Sequence, residues 1–141
     1  MIPKVIYTAD LSETPDKQRL TAWRHAWQTM HPEWDVVTLT LDTKPPIMNY
    51  DQWQQTFGLS EPAASAARLN LLRYEVLARE GGVFVDPDRL PLRPLDELVA
   101  GVGAFCSTIA SHGASRPHML SPSVLGATRN HPMLWHAIRD L

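Results

Sequence analysis

Asn70-Leu71-Leu72-Arg73-Tyr74-Glu75-Val76-Leu77, followed by Gly81-Gly82-Val83-Phe84-Val85-Asp86-Pro87-Asp88, is the stretch on which the fold turns. Ser60 reads as a helix cap, with Pro62 in the first turn. The alanine-rich run after it favours helix as far as Glu80. Gly81-Gly82 ends that helix, as glycine does just past a C-terminus. Val83-Phe84-Val85 then reads as an apolar strand with Asp86 at its end. Three successive apolar strand residues require cover on both faces of a sheet.

The rest of the chain supplies that cover. Val5-Ile6-Tyr7 reads as a short buried strand within Lys4 to Thr8. Thr14-Pro15 opens a helix over residues 15 to 30, with Leu20, Trp23, Trp27 and Met30 on its apolar side and His31-Pro32 as its stop. Trp34 to Leu41 reads as the second strand, Lys44-Pro45-Pro46 as a loop, and Asp51 to Phe57 as a short helix. Leu90 to Pro94 is too proline-rich to be regular, and Leu95 to Val99 makes a helical turn or two. Ala104 to Thr108 reads as a strand, residues 110 to 118 as a polar loop, and Asn130 as the cap of a last helix with Pro132 in its first turn. Helices alternating with short apolar strands predict an α/β fold around a mainly parallel sheet flanked by helices. Ligands then collect beyond the carboxyl ends of the strands, where Thr8, Asp86 and Asp88 are expected.

Composition narrows the function. The 141 residues suit a single domain, residues 1–141, and 44% hydrophobic with 20% charged residues is ordinary for a globular chain. Lys and Arg number 13 against 15 Asp and Glu, a net charge of −2, so no basic face is expected and nucleic acid is not the expected partner. Cys106 is the single cysteine, so no internal disulfide can form. No apolar run approaches the roughly 18 residues of a membrane span, and Met1-Ile2-Pro3-Lys4 carries no signal-peptide pattern. These features lead to the expectation of a cytoplasmic protein.

The chemistry centres on Asp86-Pro87-Asp88. Two carboxylates one residue apart can converge on a point when the chain turns between them, and such oxygen ligands suit Mg²⁺ or Mn²⁺. These ions keep waters and take further ligands from substrate phosphates. A bare D-x-D is weak on its own, since Asp and Pro are common in turns. Asn70 and Arg73 are three apart and share a helix face.

The order of segments resembles a family of glycosyltransferases with a DXD sugar-binding motif. That family includes yeast Golgi mannosyltransferases, capsular-sugar transferases and large glucosylating toxins. Its helix "SDxLRYxxL" and strand "GGxYxDxD" are similar to residues 70–88 here. Ile2-Pro3-Lys4-Val5-Ile6 resembles its first strand and Pro32-Glu33-Trp34 its "NPxW". Leu92-Arg93-Pro94-Leu95-Asp96 is similar to its "LKPLD", and Asn130-His131-Pro132 to its "xHP" helix start. The resemblance implies a GT-A-like fold that transfers sugar from a nucleotide-sugar, UDP-sugars ahead of GDP-sugars, to an unidentified glycan or protein acceptor. It implies metal contact through Asp88 and Asp86, donor contact through Asp86, Asn70 and Arg73, and base and ribose contact through Tyr7 and Thr8. Asn70 stands where the family has Asp and brings no charge. The family also continues beyond the "xHP" helix, so a minimal enzyme, a fragment and a nucleotide-sugar-binding remnant are all open readings. A metal-dependent phosphohydrolase acting on the same diphosphate is another.

Plainer readings stand beside these. Arg73 reads also as a solvated helix arginine, and Tyr7 as a strand core aromatic. Trp23 and Trp27 fall on the apolar helix face. Gly101-Val102-Gly103 lacks the third glycine of a dinucleotide loop, and Pro91 stands where a calcium loop from Asp86 requires glycine. His112 and His118 have no zinc spacing.

Overall fold

The computed structural model describes residues 1–109 and 119–141. The first strand, β1 (Val5–Asp10), leads into helix α1 (Lys17–Met30) and strand β2 (Asp35–Thr40). Helix α2 (Tyr50–Gln55) passes through a 3-10 turn to the long helix α3 (Ala63–Glu80) and strand β3 (Gly82–Val85). A four-residue helix, α4 (Asp96–Val99), precedes strands β4 (Ala104–Ile109) and β5 (Met119–Ala127), and helix α5 (Pro132–Arg139) ends the order. No described helix is long and apolar enough to cross a membrane.

The five strands form one sheet in the order β2-β1-β3-β5-β4. β1 pairs in parallel with β2 and β3, so the centre is parallel as the alternation predicts. β5 runs antiparallel to both β3 and β4, which makes the whole sheet mixed. The sequence reading has no β5. Its Ser121-Pro122-Ser123 interrupts the apolar pattern, yet the strand continues through it.

Two cores lie against the sheet. Phe84, Ala9 and Leu39 pack with Leu72, Val76 and Leu77 of α3 and with Leu134 and Ile138 of α5. Val83, Val85, Ile6 and Val36 pack with Trp23 and Trp27 of α1 and with Leu95 and Val99. β3 therefore has both faces covered, and Val83, Phe84 and Val85 are each 0% exposed. The double glycine before it is required by geometry. Gly82 has φ 110°, and a Cβ there would meet the Val5 carbonyl oxygen at 2.8 Å.

Several boundaries differ from the sequence reading for local reasons. Asp16 rather than Thr14 caps α1, accepting from the Arg19 amide at 3.0 Å. α3 starts at Ala63 without a side-chain cap, Ser60 contributing only its carbonyl to the Ala64 amide. His131 rather than Asn130 caps α5, its Nδ1 accepting from the Met133 amide, while Asn130 takes φ 60°.

Candidate functional site

Asp86 leaves β3 at its carboxyl end, held by its own amide donating to the Ser123 carbonyl at 2.8 Å. The chain turns at once, the Arg89 amide donating back to the Asp86 carbonyl at 3.0 Å. That turn sets Asp86 half-buried and Asp88 exposed. Both line a cleft of about 420 Å³ with Ala9, Asp10 and Leu11 from the end of β1, Arg19 from α1, and Pro62, Ser65, Ala66 and Leu69 from α3.

Arg73 is buried, at 2% exposure, against the alternative of a solvated helix arginine. Its guanidinium donates to the Asp86 carboxylate and, at 3.3 Å, to the Asn70 side-chain oxygen. It lies 5.6 Å from the Phe84 ring centroid. Asn70, Arg73 and Asp86 thus meet at one point, and Asn70 is the exposed member. Burial pushes the Asp86 carboxyl above its ordinary 3.8; Arg73 opposes this, Asp88 adds to it and Arg89 opposes it. Burial likewise works against the Arg73 cation, with Asp86 as its main support. Neither charge is comfortable alone, which is why the two are found together.

Tyr7 and Thr8 do not line this cleft, a correction to their expected position. β1 continues pairing with β2 through Thr8, Ala9 and Asp10, two residues beyond the predicted end. The apolar run Val5-Ile6-Tyr7 undercounts the strand because Thr8 and Asp10 are polar but still in register. Tyr7 stacks on Phe84 at 6.2 Å and lines a separate hollow with Pro45, Pro46, Arg79 and Glu80, at the other end of β3. Burial raises its hydroxyl pKa, and Glu80 raises it further. Thr8 is 0% exposed, and its hydroxyl has no partner among the described residues.

Asp10 holds the rim of the cleft. Its carboxylate accepts from the Ser12 amide at 3.1 Å, the Ser12 hydroxyl at 2.7 Å and the Asp16 amide at 3.0 Å. Burial alone would raise its pKa, but the Ser12 and Asp16 hydrogen bonds and the charge of Arg19 bring it below the ordinary value. Arg68, 2% exposed, donates to the Leu11 carbonyl at 2.9 Å and to Thr56 Oγ1 at 3.0 Å, tying the β1 end to the 3-10 turn. Glu75, 0% exposed, accepts from the Met48 and Asn49 amides at 2.7 and 2.8 Å and so fixes the start of α2. The sequence held a signal for both residues. Arg68, Leu72 and Glu75 recur at helical spacing, on the stripe that must be buried.

On the α1 side the segment after Asp88 is strapped down. Trp27 Nε1 donates to the Arg89 carbonyl at 3.1 Å, and the Leu95 amide donates to His31 Nε2 at 3.0 Å. His31 Nδ1 faces the Trp27 carbonyl at 2.9 Å, which fixes its N–H there. His31 therefore does more than stop α1. A second hollow of about 410 Å³, between β4, β5 and α5, is lined by Phe105, Cys106, Leu120, Leu125 and Met133 and has no charged lining residue. His112 and His118 lie outside the described residues.

Asp86 and Asp88 supply hard oxygen donors on a turn open to solvent. Asp88 is 62% exposed at its side chain, and its one ion pair among the described residues is with Arg89, at 3.7 Å. No group of three or more His, Cys, Asp or Glu converges among the described residues. This donor set fits an ion that keeps waters and shares phosphate oxygens, rather than one enclosed by protein ligands.

The strands and helices make an α/β fold around one mixed sheet. The PaToxG glycosyltransferase shares it, with a TM-score of 0.68 at 13% identity, over 98% of this chain and 59% of that one. The chain belongs to the family described as glycosyltransferase sugar-binding region containing DXD motif, whose model matches residues 17–102. It is also 28% identical, over 99% of its length, to inositol phosphoceramide mannosyltransferase 3 of Schizosaccharomyces pombe. It spans 37% of that relative.

Proposed function

We propose that this chain binds a nucleotide-sugar at the Asp86–Asp88 turn with a divalent cation and takes part in transfer of the sugar. The observation that carries the reading is the Arg73–Asp86 ion pair beside the exposed Asp88, at the cleft edge of β3. Asp88 is the principal metal ligand, and Asp86 shares in holding the ion and meets the donor sugar or ribose. Arg73 is a positioning residue that fixes the Asp86 carboxylate. Asn70, exposed on the same helix face, offers the donor both an N–H donor and an oxygen acceptor. Mn²⁺ or Mg²⁺, when bound, neutralises the diphosphate leaving group. The protein's part is to hold that charge fixed where the sugar–phosphate bond breaks. Membership of the DXD family supports a transferase, and the name of the fission-yeast relative brings a mannosyl donor into the panel beside UDP-sugars.

Calorimetry with UDP-sugars and GDP-mannose, in Mn²⁺ and again with chelator, tests the reading. Equal affinity in the two conditions overturns it. A second reading, binding without turnover, is favoured by Asn70, which brings no charge to the donor. Donor binding in Mn²⁺ with neither transfer nor hydrolysis decides for it, and hydrolysis without acceptor decides for a phosphohydrolase.

A further inference from the structure

The net charge of −2 conceals a segregation of charge. Five of the chain's 13 Lys and Arg lie in α1 and in the strap 89–95, and none of its 15 Asp and Glu does. The two segments adjoin, since Trp27 of α1 holds the Arg89 carbonyl and His31 holds the Leu95 amide. Composition averages over a chain, whereas folding brings these two segments side by side.

Between its two anchors the strap projects outward. Leu90 is 67% exposed and Leu92 is 94% exposed. Arg89 and Arg93 bracket these leucines and are themselves exposed. Lys17, Arg19 and Arg24 of α1 are exposed as well. Among the described residues only Arg89 of these five bases makes an ion pair, with Asp88. Acids border this face: Asp16 where α1 begins, Asp88 where the cleft opens, and Asp96 after the strap, paired with Lys4 at 3.0 Å.

We propose that the face formed by α1 and the 89–95 strap docks on an anionic membrane surface. Leucines held out into water between arginines gain by entering the boundary of a bilayer, while the arginines stay at the headgroup level. Basic side chains near an anionic leaflet add attraction that falls off within a Debye length. A nucleic acid would use the arginines and leave Leu90 and Leu92 in water. Docking by this face brings Asp88, which shares a hollow with Arg19, Trp23 and Leu90, close to the headgroup layer. The docking itself does not depend on the donor reading.

The test is co-sedimentation of the full chain with phosphatidylcholine vesicles, with and without phosphatidylserine. Binding is expected to the anionic vesicles, weaker by about ten-fold or more without the anionic lipid. The pair Leu90→Ser with Leu92→Ser, and separately Arg24→Gln with Arg93→Gln, should each weaken it by about ten-fold. Urea unfolding of the same variants checks that they fold, and Lys44→Gln, off this face, should bind as the parent does. Equal binding to both vesicles, no binding to either, or unchanged binding by both double variants overturns the proposal. So does single-stranded DNA captured more tightly than the vesicles. Loss of metal-dependent donor binding with vesicle binding intact sinks the donor reading alone.

Discussion

Arg73 on α3 and Asp86 at the end of β3 form an ion pair across the helix–strand junction, with the arginine side chain 2% exposed and the aspartate 26%. The helix buries a cation for the sake of a carboxylate that the cleft keeps partly wet. Removing one member leaves the other desolvated without its partner, and that cost exceeds the worth of the pair.

Arg73→Ala should therefore lower stability as well as donor affinity. The loss expected is about 2–3 kcal/mol, below the full cost of breaking a buried pair because Asp86 is partly exposed. Arg73→Lys should recover only part, since an ammonium does not span Asn70 and Asp86 as a planar fork does. Urea unfolding reads the stability, and calorimetry the donor affinity. A folded Arg73→Ala protein with parental stability contradicts the positioning role.

Asp88→Asn and Asp86→Asn should separate metal binding from architecture. Asp88 is 62% exposed, so its amide variant should fold as the parent does and lose metal-dependent donor binding. Asp86→Asn should lose stability too, because Arg73 keeps its charge and loses its counter-charge. Measured together, unfolding curves and Mn²⁺-dependent donor titrations give four readings. Parental Mn²⁺-dependent binding by Asp88→Asn contradicts its assignment as ligand.

Asp10 supplies a pH dependence with a definite sign. Its native pKa lies below the ordinary 3.8, the Ser12 and Asp16 hydrogen bonds outweighing burial. The carboxylate thus adds stability above pH 3.8, and that stability is lost as pH falls through the lower native value. Asp10→Asn should cost about 1.5 kcal/mol at neutral pH, since an amide nitrogen cannot accept from the Asp16 N–H. The gap between parent and variant should close on acidification. A gap independent of pH across that range counts against the ionised carboxylate as its cause.

The sequence disclosed the centre of this molecule better than its edges. Val83-Phe84-Val85 between a double glycine and Asp86 points to a buried central strand, because the glycines end the helix before it and both faces of a sheet then cover three successive apolar residues. Asn70 and Arg73 were legible as one helix face for the same periodic reason. β5 was not legible, since Ser121 and Ser123 look like loop residues until Ser107 Oγ is seen to bond the Ser121 carbonyl and Ser123 Oγ, each at 2.9 Å. Tyr7 and Thr8 were misplaced because strand length depends on pairing with β2, which the run Val5-Ile6-Tyr7 does not contain. The strap is the deepest case. Trp27 and His31 read as core and stop on a helix pattern, and their polar atoms reach residues 62 and 64 positions away. Long-range hydrogen bonds of that kind leave no periodic trace.

His31→Leu tests whether the strap depends on that reach. His31 is 1% exposed and lies between Trp27 and Trp34, with ring centroids 5.5 Å from each. Leucine keeps the site apolar but strands the Leu95 amide and one acceptor position on the Trp27 carbonyl. Each buried group left unpaired costs about 1–3 kcal/mol, although the Trp27 carbonyl keeps the His31 amide as a partner. A loss of about 2 kcal/mol is expected in urea unfolding. His31→Gln should do better, because its side-chain oxygen can accept from Leu95 or its nitrogen can donate to Trp27. Hydrogen exchange at the Leu95 amide gives the local readout, and it should quicken in His31→Leu well beyond the effect at Val83, which β1 and β5 flank. Equal quickening at both positions would mean that His31 stabilises the whole fold without holding the strap. Unchanged protection at Leu95 would remove His31 from the account of how the segment after Asp88 is held.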